Sequence, residues 1–458
     1  MKKTLRFLSM AALVFMGAAM AGCTSNELVN EQPANNDKKV TLTTIVSMDV
    51  TTKALTSAGV KSFAEGEKMA VIYYNGTSTV KAESKALETG DLIDGGRSAK
   101  FTFELENPNT ATAVQYIYPA AMANNDGSIN YDALATQNGT LATLSSNLDL
   151  ATKTAAWKGT SLPTATLDNP LAILAITLKN NAGTEITGKI TNMTISDGTY
   201  SYNVSREAAA GPIYVAIRPT SSATISIAAN NSVPADGIVN YTKSLSGKTY
   251  LAGNGYNVSW KMDLPVIDLT SYSNSNFYVT DNMIIKGTPT EPAVLFINFY
   301  DGNYEVTLDN LNATGSIPIN IFSSYGMNIK LKGTSMISSI RTNSDKTLTI
   351  DAAEEGGEVI VSSGYTLDSK TVTINGGTLK VKNTSDSFSA IEGNLLVNGG
   401  AVYLDGGVKP AVSGSISAGS GVNIYGWNVS EWSEVISLTS SNQYISTDNS
   451  AAPSTWTW

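Results

Sequence analysis

Val40, Leu42, Thr44, Val46, Met48 and Val50 alternate with Thr41, Thr43, Ser47 and Asp49, and only Ile45 puts an apolar side chain on the polar face. A period of two held this long predicts a half-buried strand from Val40 to Val50. Shorter runs of the same kind follow between turn signals. They are Lys68–Tyr74 before Asn75-Gly76, Ala99–Leu105 before Pro108, and Ala113–Tyr118 before Pro119. A second group comprises Ala172–Leu178, Lys189–Ser196, Thr199–Val204, Gly211–Ile217, Thr224–Ala228 and Tyr256–Asp263. Asp197-Gly198 is a tight-hairpin signal inside that group. From about Ala120 to Pro163 the alternation fails and Asn, Gly and Ser are frequent, so long connections are expected there. Many short strands with regular turns predict sandwiches rather than a parallel sheet.

After Asp263 the pattern changes to a ladder. Thr307-Leu308-Asp309-Asn310, Lys330-Leu331-Lys332-Gly333, Thr349-Ile350-Asp351-Ala352, Thr373-Ile374-Asn375-Gly376 and Leu396-Val397-Asn398-Gly399 align on their central apolar residues at offsets of 23, 19, 24 and 23. The last two rungs are near copies through Gly376-Gly377 and Gly399-Gly400, and Gly356-Gly357-Glu358-Val359 repeats their second half. Such a repeat, with two short strands and a Gly-Gly corner, predicts a solenoid in which stacking at about 4.8 Å buries what one rung cannot. The fold class expected is all-β: two tandem β-sandwiches followed by a C-terminal right-handed parallel β-helix. The expected division is a signal peptide at 1–22, a flexible tether at 23–38, sandwiches at 39–165 and 166–264, and the β-helix at 265–458.

Composition agrees. The chain of 458 residues has a net charge of −9 with 15% charged residues, which argues against nucleic acid as a partner. It contains no histidine and one cysteine, which excludes Ser-His-Asp and Cys-His nucleophiles, His- or Cys-ligated zinc, and any disulfide within the chain. No cofactor or metal is expected, and the chain is read as a non-enzyme.

The lone cysteine has a specific setting. Lys2, Lys3 and Arg6 precede an apolar run from Phe7 to Met20, which is too short to cross a ~30 Å hydrocarbon core as a helix. It ends in Met20-Ala21-Gly22-Cys23, which resembles the lipobox of bacterial lipoproteins, with Met20 where Leu is usual. That resemblance implies cleavage before Cys23, acylation of its amino group and thiol, and anchoring in the outer-membrane lipid bilayer at the cell surface, where two or three chains hold firmly.

A second resemblance covers roughly residues 40–264. Phe63-Ala64-Glu65-Gly66-Glu67-Lys68-Met69-Ala70-Val71, then Ile117-Tyr118-Pro119, then Tyr250 to Leu264 with Gly253, Tyr256 and Val258, are similar in order and spacing to motifs of fimbrillin-like proteins. The resemblance implies two seven-stranded-type sandwiches, a fimbrial role and other pilin subunits as partners. In that family a trypsin-like protease cuts after a basic residue beyond the first strand. The strand leaves, and one from the next subunit fills its groove. By resemblance Lys53-Ala54 is the candidate cleavage site, and Val40, Leu42, Val46, Met48 and Val50 belong to the exchanged strand. Otherwise Lys53 is an exposed loop lysine. The C-terminal region resembles a β-helical carbohydrate-binding domain of bacterial surface proteins. The long extension after the sandwiches favours a terminal subunit, tip or membrane anchor, over a polymerising stalk. Its rivals are a free-standing glycan-binding lipoprotein and a polysaccharide-degrading β-helix enzyme.

Four of the six tryptophans fall in the last 32 residues. Tyr425, Trp427, Trp432, Trp456 and Trp458 suit either a platform for sugar faces or a solenoid cap. Asp309 and Asp351 are expected at equivalent ladder positions two rungs apart, too far to share one Ca²⁺. Asn375 and Asn398 are expected to stack and bond to each other.

Overall fold

A computed structural model describes residues 39–48, 62–144, 148, 150–158, 160–231, 239–291, 293–299, 302–312, 318–363, 367–428, 431–434 and 444–456. The chain is nearly all β, with several sheets and a C-terminal solenoid of about six turns.

The first sandwich uses β1 (Lys39–Met48), β2 (Ala70–Tyr74), β3 (Thr79–Glu83), β4 (Ser98–Glu106), β5 (Ala113–Tyr118), β6 (Ala151–Ala156) and β7 (Ala165–Leu167). The second uses β8 (Ala172–Lys179), β9 (Ile190–Ser196), β10 (Ser201–Ser205), β11 (Ile213–Ile217), β12 (Thr220–Asn231), β13 (Asn240–Tyr250) and β14 (Gly255–Lys261). Their topologies match strand for strand. In the first, β1 lies between antiparallel β4 and parallel β7, facing a sheet ordered β3-β2-β5-β6. In the second, β8 lies between antiparallel β11 and parallel β14, facing β10-β9-β12-β13. The same path thus occurs twice in succession.

The two copies differ in how the opening strand is covered. β14 runs beside β8 from Ile173↔Gly255 to Lys179↔Lys261. Among the described residues β7 pairs with β1 at Val46↔Ala165, Ser47↔Thr166 and Met48↔Leu167.

The stretch expected to be connections between Ala120 and Pro163 is more ordered than its polarity suggested. It holds β6, and it carries an excursion whose Met122, Leu134, Leu144 and Leu150 are buried in the second core. Thr136–Gln137 extends the second sandwich beside β10. Gln137 Nε2 donates to the carbonyls of Leu134 and Ala216, at 2.9 and 2.7 Å, and its Oε1 accepts from Ala216 N–H at 2.9 Å. Single buried leucines anchor this segment, so no period exists to read. β3, β7 and β13 were likewise not anticipated; β13 is mostly solvent-facing and polar.

The solenoid is three-sided. One parallel ladder joins Met283–Gly287, Glu305–Leu311, Met327–Lys332, Thr347–Ala352, Leu367–Ile374 and Ile391–Val397. A second joins Asn276–Val279, Leu295–Phe299, Ile319–Ser323 and Ser339–Thr342. A third joins Thr334–Ile337, Glu358–Ser363, Thr378–Asn383 and Ala401–Asp405. In the first ladder Met283, Val306, Ile329, Ile350, Ile374 and Val397 form one buried aliphatic column. The register corrects one expected step: Ile350 stands opposite Ile329, and Leu331 opposite Ala352. Asp351 therefore lies beside Lys330 rather than level with Asp309, which pairs with Lys332 at 3.3 Å. A slide of two residues keeps every side chain on its own face, so alternation alone cannot exclude it.

Sandwich and solenoid share one core, in which Trp260 and Met262 continue into Leu269 and Phe277. Asp281, only 4% exposed, marks the join. Its carboxylate accepts from Asn180 Nδ2 at 2.7 Å and from the Tyr241 hydroxyl at 2.9 Å, tying β13 and the end of β8 to the first turns. Burial, then the adjacent carboxylate, pushes the Tyr241 phenol well above its ordinary value, so it stays a donor.

Candidate functional site

Two places gather the residues that the sequence singled out. The first is the bed of β1. Thr44, Val46 and Met48 are buried, Val40 and Leu42 half-buried, and Ile45 is 42% exposed, as the alternation predicts. The buried face enters a core with Phe101, Phe103 and Leu105 of β4, Tyr116 and Tyr118 of β5, and Trp157. Along the other edge Thr44 Oγ1 donates to the carbonyl of Pro163 at 2.9 Å, and the Tyr116 hydroxyl donates to the same oxygen at 2.6 Å. On the solvent face Thr43 meets Thr102 at 3.0 Å and Ser47 meets Ser98 at 2.8 Å.

Two of the three motifs that suggested the resemblance meet in this core, and the third, Tyr250 to Leu264, packs in the second sandwich. The Phe63 ring stands edge-on to Phe101 and to Tyr118, each at 5.1 Å. Gly66 supplies a φ of +84°, and Glu67 turns back to accept from Ala64 N–H at 2.8 Å and from the Tyr118 hydroxyl. Tyr118-Pro119 is a cis peptide. Their spacing along the chain thus reflects one local cluster closing the end of the sandwich. Cys23, Val50, Lys53 and Ala54 lie outside the described residues.

The second place is the end of the solenoid. Tyr425–Asn428 pairs antiparallel with Glu431–Glu434, setting Trp427 opposite Trp432, and also with Tyr444–Ser446. Tyr444–Ser446 in turn lies antiparallel on Ala401–Asp405, so the third parallel ladder terminates in an antiparallel hairpin. Tyr425 and Trp427 therefore belong to the closing layer. Trp456 returns to the outer face of that ladder, with its ring edge-on to Tyr403 at 5.3 Å and to Tyr444 at 6.2 Å. Trp458 lies outside the described residues.

Around Trp456 is a cavity of about 380 Å³ lined by Glu358, Thr378, Lys380, Tyr403, Asp448 and Thr455. Consecutive rungs aim these side chains outward: Glu358 lies beside Thr378, and Lys380 beside Tyr403. Lys380 Nζ sits 2.7 Å from Glu358 Oε1, both side chains being less than one-fifth exposed. Tyr403 donates to Asp448 Oδ2 at 3.3 Å, and Ser450 N–H donates to Asp448 Oδ1 at 2.8 Å. The Ser450 bonds, opposed by slight burial, hold the Asp448 carboxyl below its ordinary value. Burial and then Asp448 push the Tyr403 phenol up. Of these residues only Trp456 was legible beforehand. The others are ordinary strand positions that the rung register brings side by side. Asn375 and Asn398 do stack, with Asn398 Nδ2 donating to Asn375 Oδ1 at 2.9 Å. Among the described residues no three His, Cys, Asp or Glu side chains converge as a metal site would need.

No family model and no curated protein matches the chain. Among solved structures it is similar to two proteins provisionally named for cell adhesion and to one fimbrial protein. The Bacteroides fragilis adhesion protein is 14% identical at a TM-score of 0.28, over 47% of this chain and 86% of that one. The Bacteroides uniformis adhesion protein is 13% identical at 0.26, over 48% and 94%. The tip fimbrial protein Mfa3 of Porphyromonas gingivalis, C-terminally truncated, is 11% identical at 0.19, over 50% and 82%.

Proposed function

We propose that this chain is a surface-exposed adhesive subunit of the fimbrillin type, delivered to the outer membrane as a lipoprotein through Cys23 and joined to other pilin subunits by exchange of β1. It acts by binding, at the tip or the anchor of an assembly, and not by catalysis. One observation carries the reading. The two sandwiches share a topology, yet the parallel neighbour β14 accompanies β8 over seven residues, Ile173 to Lys179, with β11 opposite Ala172 to Ile176, whereas among the described residues the parallel neighbour β7 accompanies β1 over three, with β4 opposite Lys39 to Ser47. A strand held more lightly along one edge can leave and be replaced by a strand of the same alternation, since β-addition needs only main-chain partners and pockets for alternate side chains. Lys53 follows β1 at a distance that would release the lipid and the strand together.

The test is the N-terminal residue of the protein recovered from the cell surface. Ala54 is expected for the assembled form, and Lys53→Ala should leave the protein as a lipid-linked monomer. A lipidated, uncut chain within a purified polymer would overturn exchange.

A further inference from the structure

We infer that the cavity around Trp456 is a binding site for a neutral pyranose, one or two sugar units in length. This rests on the adhesive reading above, but not on exchange of β1.

A pyranose ring presents C–H groups on its faces and hydroxyls around its edge, so it needs an apolar wall beside acceptors and donors in one rigid concavity. The Tyr403 and Trp456 rings, 79° apart, make such a corner. Beside it, Glu358 and Asp448 supply carboxylate oxygens. Each carboxylate offers about four lone-pair sites. Glu358 uses some of them on Lys380 and on Thr334 Oγ1 at 3.4 Å, and Asp448 uses some on Tyr403 and Ser450, so acceptor capacity remains for sugar hydroxyls. Lys380 and Thr378 place donor groups on the same walls, and the Thr455 hydroxyl, whose hydrogen goes to the Ala452 carbonyl at 2.7 Å, adds an acceptor.

Charge selects within the sugars. Two carboxylates face one lysine, so a uronate or sialate would meet net repulsion, and a phosphate would fare no better. Size selects too. About 380 Å³ lies near the lower end of small-ligand sites, enough for a terminal sugar but not for a long stretch of polysaccharide. Rigidity comes from the register: four of the wall residues stand on strands hydrogen-bonded to their neighbours above and below, so little ordering remains to oppose binding.

The experiment is saturation-transfer NMR and calorimetry on the full mature chain with four neutral disaccharides (lactose, N-acetyllactosamine, cellobiose and chitobiose) and two acidic sugars, digalacturonate and sialyllactose. At least one neutral sugar should bind and the acidic ones should not. Trp456→Ala should weaken binding about three- to tenfold. Asp448→Asn, which keeps the shape and removes the charge, should weaken it about tenfold or more. Because Trp456 also packs on Tyr444, Asp448→Asn is the decisive variant should Trp456→Ala lower the melting temperature. Absence of binding by all four neutral sugars, preference for the acidic ones, or binding unchanged in Asp448→Asn would overturn the assignment. Assembly with β1 exchange intact but no sugar bound would sink the pocket alone.

Discussion

Three residues of β1, Ile45, Val46 and Met48, should respond unequally to truncation to Ala. Val46 is fully buried and Met48 is 6% exposed, while Ile45 between them and the solvent-facing Thr43 is 42% exposed. Replacing Met48 by Ala removes three heavy atoms from a core that includes Phe63, Phe101 and Trp157, and buried Met→Ala changes cost about 2–5 kcal/mol. Val46→Ala removes two methyl-sized groups, worth about 1–2 kcal/mol at ~0.8 kcal/mol per buried carbon before any cavity term. Ile45→Ala should stay within about 0.5 kcal/mol. Hydrogen exchange at the Phe101–Leu105 amides reads the first sandwich separately from the rest of the chain. Because each 1.4 kcal/mol is tenfold, protection there should fall roughly thirtyfold to several thousandfold in Met48→Ala, about tenfold in Val46→Ala, and hardly at all in Ile45→Ala. Equal losses for Ile45 and Met48 would mean that β1 is not seated by its alternate face, and the groove argument would fail with it. A peptide of sequence Lys39–Met48 added to chain lacking residues before 54 should restore the same protection, and a peptide with Asp at position 46 should not.

Gly400 and Gly356 form a second matched pair. Both have positive φ, +79° and +83°, but a Cβ on Gly400 would lie 2.4 Å from the Gly377 carbonyl oxygen, whereas one on Gly356 meets nothing within 4 Å. Gly356→Ala should cost only the backbone strain, about 1–2 kcal/mol, and Gly400→Ala clearly more, read as early loss of protection in Ala401–Asp405. At the join, Asp281→Ala leaves the Tyr241 hydroxyl and the Asn180 amide without their acceptor, costing about 1–3 kcal/mol for each stranded group. Adding Tyr241→Phe should recover part of that loss; a strictly additive double variant in thermal unfolding would show that the three groups do not act together.

Much of this architecture is written locally. The alternation of Val40 to Met48 names both faces of β1, including the exposed Ile45. The motifs at Phe63 to Glu67 and at Tyr118 stand out in the chain as a resemblance, though only the fold brings them into one cluster. The paired glycines at 356–357, 376–377 and 399–400 locate a corner where a Cβ on Gly357, Gly399 or Gly400 would come within 3 Å of a neighbouring rung's backbone, and the stacked Asn375 and Asn398 follow from the same repeat. Each of these depends on the side-chain period or on steric exclusion within a few residues, which is information a linear chain carries.

Tertiary structure decided the rest because it concerned register and partnership. Alternation is unchanged by a slide of two, so only the stacked solenoid could set Ile350 beside Ile329 and separate Asp309 from the level of Asp351. The short reach of β7 along β1, against the full reach of β14 along β8, is a property of strand pairs and leaves no mark on either strand's pattern. Likewise Glu358, Lys380 and Tyr403 line one cavity because rungs twenty or more residues apart in sequence lie about 4.8 Å apart in space, and the antiparallel strand Tyr444–Ser446 brings Asp448 to them. The sequence dictates which way each side chain points; stacking dictates what it points beside.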